Sequence, residues 1–233
     1  MRAPERLKTM ARPLLWTASD AWTSLRGELV PPRRLRSQVP GDFRTVGADF
    51  VGYYETFGGL RPSDRVLDIG CGPGRMAIPL LGYLSEQGSY EGVDTWVEAV
   101  EWCTSNVTPR RGDFRFTILG APTDSFPFED DSFDFAVVCA ISKLDATTYE
   151  RYVAEAARLL RPGGTYFGTC FVVDGPQAPH PVSFTPRSLT EMLAAAEIRL
   201  EAIHSGSWTG AASPLSYQDV LIGRKEGAAS RSS

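Results

Sequence analysis

Two carboxylates flanking a run of closely spaced glycines are the residues of this chain best arranged for chemistry. The run is Val66-Leu-Asp-Ile-Gly-Cys-Gly-Pro-Gly-Arg75, in which strand-like apolar residues give way to glycines and then at once to a helical pattern. Glycines let the backbone turn sharply and leave no side chain in the way of a ligand. The start of the following helix offers free backbone N–H groups. Dinucleotide-binding enzymes share a similar turn, so two details decide what it can hold. The spacing is GxGxG rather than GxGxxG, and Asp68 stands two residues before the first glycine. A carboxylate repels a pyrophosphate but attracts an ammonium group, so the loop suits a ligand with a positive end. The second acid, Asp94, closes Tyr90-Glu-Gly-Val-Asp94, 20 residues after Gly74. A carboxylate there can accept hydrogen bonds from both hydroxyls of a ribose.

A nucleoside joined to an amino-acid cation describes S-adenosylmethionine. The chain resembles the class I, Rossmann-like, S-adenosylmethionine-dependent methyltransferases. The resemblance runs from about Arg61 to Lys225. It includes Phe126-Pro-Phe-Glu-Asp-Asp-Ser-Phe-Asp134 ahead of the fourth strand and Leu159-Leu-Arg-Pro-Gly-Gly164 ahead of the fifth. Those two segments are similar to the small-molecule branch.

The resemblance implies that Asp68 lies near the methionyl amino group and that Gly70, Cys71, Gly72 and Gly74 line the cofactor. It further implies that Asp94 holds the ribose, that Thr95 and Trp96 flank ribose and adenine, and that Cys139 faces the methionine moiety. One position departs from the family. Pro122-Thr123 stands where many members carry Asp-Ala, which leaves adenine to Thr123, Asp124 or backbone groups. The implied reaction moves a methyl group to a small organic acceptor and leaves S-adenosylhomocysteine. No general base is assigned: a sulfonium methyl is electrophilic already, and alignment of the acceptor is the main requirement.

These residues need a sheet to position them. Apolar runs at Arg65–Ile69, Ser89–Val93, Phe114–Leu119, Phe133–Ala140 and Gly164–Val173 alternate with helical patterns at Met76–Leu84, Val97–Asn106, Thr147–Leu160 and Pro186–Glu197. Such alternation builds a parallel sheet covered on both faces. Arg199–His204 and Tyr217–Arg224 follow, joined by a segment rich in glycine, serine and proline. A loop there makes the last strand antiparallel. The expected fold is a doubly wound, mostly parallel seven-stranded α/β sheet with an N-terminal helical cap. Residues 1–60 are expected to form that cap, 61–225 the cofactor-binding domain and 226–233 a disordered tail. In the cap, Leu7, Met10, Leu14, Ala18, Ala21, Trp22 and Leu25 recur at helical steps, the pattern of an amphipathic lid over the strand ends.

Charge and cysteine usage narrow the function classes. The 233 residues carry a net charge of −4, which argues against a nucleic-acid partner. Residues 1–36 hold a net +5 and the rest −9, so peripheral membrane contact through residues 1–36 is the alternative to a lid. The longest apolar run, Phe135–Ile141, is far short of the roughly 20 residues of a membrane span. Cys71, Cys103, Cys139 and Cys170 lack metal-ligand spacing and suit reduced thiols in a cytoplasm.

Other readings stay beside this one. A non-catalytic S-adenosylmethionine-binding or interaction protein is one; a nicotinamide dehydrogenase is another, opposed by Asp68 and the glycine spacing. His180 and His204 are the two histidines, and His180 is the better placed to touch substrate, because its loop follows a strand. Tyr53 and Tyr54, with Phe50 and Phe57, read as packed helix rather than an acceptor pocket, and Glu129-Asp-Asp131 as a solvated turn.

Overall fold

The computed structural model describes residues 28–39, 41–121, 125–139, 144–174, 182–205 and 218–227. The amphipathic segment of residues 7–25, the Pro122-Thr123 position, His180 and the tail from residue 228 lie outside them. Two helices, α1 (Arg33–Arg36) and α2 (Phe43–Thr56), precede the first strand. The chain then runs β1 (Arg65–Ile69), α3 (Ala77–Tyr83), β2 (Ser89–Asp94), α4 (Val97–Asn106), β3 (Phe114–Ile118) and β4 (Phe133–Val138). It continues through α5 (Ala146–Leu159), β5 (Leu160–Val172), β6 (Ser183–Phe184), α6 (Pro186–Ala195), β7 (Ile198–His204) and β8 (Asp219–Lys225).

The strands pair in the order β3-β2-β1-β4-β5-β8-β7. The first five are mutually parallel, and β8 lies antiparallel to both β5 and β7. This is the mixed seven-stranded sheet expected from the sequence. The two-residue β6, which the sequence did not announce, adds parallel to the end of β5. One boundary also differs. The Arg161-Pro-Gly-Gly turn does not separate α5 from β5 as expected. Leu160 already pairs with Phe133; the ladder then slips and resumes at Thr165 opposite Phe135, with Gly163 at φ +78°.

Apolar periodicity sorts the helices to the two faces. On one face α5 buries Tyr149, Tyr152, Val153 and Ala156, and α6 buries Leu189 and Leu193, against Leu67, Val138 and Tyr166 of the sheet. On the other face α2, α3 and α4 bury Phe50, Tyr54, Leu80 and Cys103 against Val66, Phe135 and Phe167. Helix starts are chemically marked. Asp42 and Asp145 accept from the N–H groups of Thr45 and Thr148, and Thr185 caps α6 ahead of Pro186.

The α2 contacts explain the aromatic cluster noted in the sequence. Tyr54 is fully buried, its ring 4.7 Å from that of Phe167 in an edge-to-face arrangement, and Phe50 packs on the same ring. Tyr53 and Phe57 lie on the outer side of this layer, where Phe57 stacks on His204 at the end of β7 with ring centroids 4.0 Å apart.

Candidate functional site

The chain leaves β1 and β2 toward one side of β1, then crosses to β4 on its other side. Such a switch in winding direction opens a crevice outside the carboxyl ends of the strands, where α/β sheets bind ligands. A cavity of about 360 Å³ occupies that place. The glycine loop forms its floor. Gly70, Gly72 and Gly74 all have φ in the left-handed region, at +83°, +50° and +78°. The N–H groups of Gly70 and Cys71 both donate to the Val93 carbonyl, which ties the loop to the end of β2.

Eight of the nine residues expected at a cofactor line the cavity: Asp68, Gly70, Cys71 and Gly72 from the first loop, Asp94, Thr95 and Trp96 from the second, and Cys139 beyond β4. Gly74 does not. A Cβ there would sit 2.9 Å from the Cys103 sulfur, so Gly74 serves the close approach of α4 to the loop. The structure also brings in residues that the sequence pattern does not single out. Gln38 and Val39 reach the cavity from the segment after α1, Leu144 and Tyr152 from the α5 side, and Arg75 and Met76 from the turn entering α3. Arg75 ends the glycine motif, but nothing in its spacing says whether it faces solvent or ligand.

Asp68 is 3% exposed and accepts a 2.6 Å hydrogen bond from the Tyr90 hydroxyl. Burial pushes its carboxyl up from 3.8 to about 6; the Tyr90 bond opposes the rise, nearby Asp94 adds to it and Arg75 opposes it. A buried carboxylate held with this little compensation favours the arrival of a cation. Cys71 and Cys139 are buried, and burial pushes both thiols well up, so they are inert walls and not nucleophiles.

Asp94 is organised differently. One carboxylate oxygen accepts from the Gly72 N–H at 2.7 Å, the other from the Trp96 N–H at 2.8 Å. The side chain therefore fixes both loops, and each oxygen keeps a lone pair for a ligand hydroxyl. Asp94→Ala is expected to weaken S-adenosylhomocysteine binding roughly ten- to hundredfold, the loss of hydrogen bonds to a charged group worth about 1.5–3 kcal/mol. Calorimetry on the folded variant checks this; unchanged affinity would remove Asp94 from the ligand.

Comparison with known proteins agrees with this geometry. Residues 66–164 match a family model described as a methyltransferase domain. The chain is 29% identical to the uncharacterized methyltransferase YcgJ of Bacillus subtilis over 69% of its own length and 60% of that protein's. It is 30% identical to a ubiquinone/menaquinone biosynthesis C-methyltransferase of Geotalea daltonii over 44% of its length and 43% of the relative's. The match thus covers less than two thirds of each of these curated relatives. Among solved structures, a Burkholderia thailandensis 1,6-didemethyltoxoflavin-N1-methyltransferase, solved with its acceptor and S-adenosylhomocysteine bound, shares the fold. Its TM-score is 0.57 at 22% identity, over 97% of this chain and 92% of that one. With a methyltransferase-domain match that begins in β1 and ends within β5, and with the sheet order and crevice described above, the chain is similar to methyltransferase domains over residues 66–164 and shares the fold of solved S-adenosylmethionine-dependent methyltransferases.

Proposed function

We propose that the protein transfers the methyl group of S-adenosylmethionine to a small organic acceptor. The observation that carries this reading is the pairing of a buried, under-compensated acid, Asp68, with a second acid, Asp94, on the wall of one glycine-floored cavity. When bound, S-adenosylmethionine supplies a methyl group made electrophilic by its sulfonium. The chain's own residues have three tasks. Asp68 accepts hydrogen bonds from the methionyl ammonium, with Tyr90 holding its carboxylate in place. Asp94 accepts from the ribose hydroxyls while fixing the loop that carries Gly72. Cys139, Leu144 and Tyr152 supply a mostly apolar wall that keeps water from the acceptor side.

Curated relatives named for C-methylation of quinone precursors support a small-molecule acceptor. A cytoplasmic setting is part of the reading; all four cysteines are free thiols. Among the described residues no helix is long and apolar enough to cross a membrane.

The test is transfer of a labelled methyl group from S-adenosylmethionine into a cell extract divided into dialysable, protein and nucleic-acid fractions. Label in the dialysable fraction supports the reading. Label confined to protein or nucleic acid contradicts the acceptor class, and absence of label in all three contradicts methyl transfer.

The lid belongs to the same proposal. Gln38 and Val39 line the cavity and Leu35 is fully buried, so the chain just before α2 is already part of the wall. Deleting residues 1–27 leaves these residues in place. The deletion is expected to lower turnover about tenfold or more while changing S-adenosylhomocysteine affinity less than about threefold. Full turnover combined with lost binding to anionic vesicles would instead make the segment a membrane contact.

A further inference from the structure

The sheet ends in two edge strands, and their residues treat the edge differently. On one side β7 carries the ion-paired Arg199 and Glu201, and its ladder with β8 slips between Leu200 and Ala202. Charges and a bulge keep an edge strand from pairing with another chain. On the other side β3 pairs with β2 in an unbroken parallel register, and its stretch Phe116-Thr117-Ile118 carries no charge. Ile118 is 43% exposed, although isoleucine is among the residues most often buried. Phe116 is only partly covered, its ring 5.6 Å from that of Tyr90. The backbone of β3 is equally unfinished. The Tyr90 N–H donates to the Asp113 carbonyl and the Leu119 N–H to the Asp94 carbonyl, so the odd-numbered residues face β2. The even-numbered ones face outward. Phe114 is used there, its N–H donating to the Arg111 carbonyl and its own carbonyl accepting from the Thr108 hydroxyl. The outward N–H and C=O groups of Phe116 and Ile118 meet no partner among the described residues.

We propose that β3 is the pairing edge of a symmetric dimer, and that its occupant is β3 of a second copy of this chain. The edge is self-complementary. An antiparallel pair centred on Thr117 sets Phe116 opposite Ile118 of the second copy, and Ile118 opposite its Phe116. Each of these residues turns both its N–H and its C=O outward, so this register forms four hydrogen bonds between the copies. It also lays each exposed Ile118 beside a Phe116 ring on the α4 face, since residues two apart share a face of the sheet. Arg115 falls opposite Leu119 of the other copy and keeps its ion pair with Glu91 of its own. A foreign peptide would share the hydrogen bonds but not the Phe–Ile pairing, which two-fold symmetry supplies twice. None of Phe116, Thr117 and Ile118 lines the cavity of the glycine loop, so the proposal stands apart from the cofactor reading.

Sedimentation equilibrium of the full chain over roughly 1–500 μM is expected to show a monomer–dimer equilibrium. Ile118→Lys puts a charge into the seam, and each dimer carries it twice. It should raise the dissociation constant about a hundredfold or more. The register has its own test. The two Thr117 residues form a non-hydrogen-bonded pair with Cα atoms about 4.5 Å apart, so Thr117→Cys should give a disulfide-linked dimer on mild oxidation. Arg115→Cys, on the same face but on the order of 14 Å from its counterpart, should not. The four native thiols are buried, so the wild type serves as the oxidation blank. A wild type that stays monomeric over the whole range overturns the proposal, and that arm needs no variant to fold. Dimerisation unchanged in folded Ile118→Lys overturns it too, by placing the interface elsewhere. So does a dimer in which Thr117→Cys fails to cross-link, or in which Arg115→Cys cross-links as fast.

Discussion

At about pH 8, an Asp68→Asn protein is expected to unfold at a higher temperature than the wild type while binding S-adenosylmethionine roughly a hundredfold or more weakly. Both halves follow from one fact. The folded Asp68 carboxyl titrates at about 6 against an ordinary 3.8, chiefly because it is buried. A folded-state value raised above the unfolded one means that the native protein prefers the protonated acid. Stability from this group is complete below the unfolded value and is lost as pH rises through about 6, on the order of 3 kcal/mol in all. The attraction of Arg75 is already contained in that balance. Asparagine keeps the uncharged form at every pH, so the two proteins should converge in stability near pH 4 and separate above about pH 6.

Binding should move the other way. A ligand ammonium needs the ionised acid, so wild-type affinity for S-adenosylmethionine is expected to increase from pH 5 to about pH 7 and then level off. Asp68→Asn should lack this rise. Equal affinity of the two proteins at pH 8, or a variant less stable there than the wild type, would show that Asp68 is a structural acid and not a ligand group.

Gly72→Val is the second large effect, and Gly59 supplies its control. Gly72 sits at φ +50°, and a Cβ there would come 3.9 Å from the Asp94 carboxylate. A valine therefore combines backbone strain with branched methyls directed into the region between the two loops. Gly59, in the turn after α2, has a similar φ of +69°, and a Cβ added there would meet nothing within 4 Å. Strain alone, roughly 1–2 kcal/mol, should be common to both substitutions. Only Gly72→Val should abolish measurable S-adenosylhomocysteine binding. Chemical denaturation measures the first effect and calorimetry the second. Loss of binding in both variants would assign the effect to strain, and retention in both would place the ligand elsewhere.

Much of this site is legible in the sequence because it is local. Asp68, the glycines and Asp94 lie within strand-loop-helix units whose geometry follows from residue type and spacing, and the sheet aligns the two units by pairing Asp68 with Gly92 and Ile69 with Val93. What is not legible depends on contacts between distant segments. Tyr90 faces Asp68 only because β2 lies beside β1. Arg75 is buried because α2, some thirty residues upstream, covers it. Gly74 looks like its neighbours in the motif, yet its lack of a side chain serves Cys103 on α4 rather than a ligand. Tyr54 is similar to Tyr53 in sequence; one lies in the core and the other is only partly buried, because neighbouring side chains point to different faces of α2 and the sheet covers one of them. The slipped ladder at Leu160 is likewise a property of the pair β4–β5 and not of the Arg161-Pro-Gly-Gly segment itself.

The central claim is that the crevice between β1 and β4 holds an adenosyl amino acid and not a dinucleotide. Titrating the full-length protein at about pH 7.5 with S-adenosylhomocysteine, and separately with oxidised and reduced nicotinamide dinucleotides, tests it most directly. The account predicts saturable one-to-one binding of S-adenosylhomocysteine and no binding of either dinucleotide at the same concentrations. Binding of a dinucleotide, with S-adenosylhomocysteine giving no heat and no displacement, would contradict it.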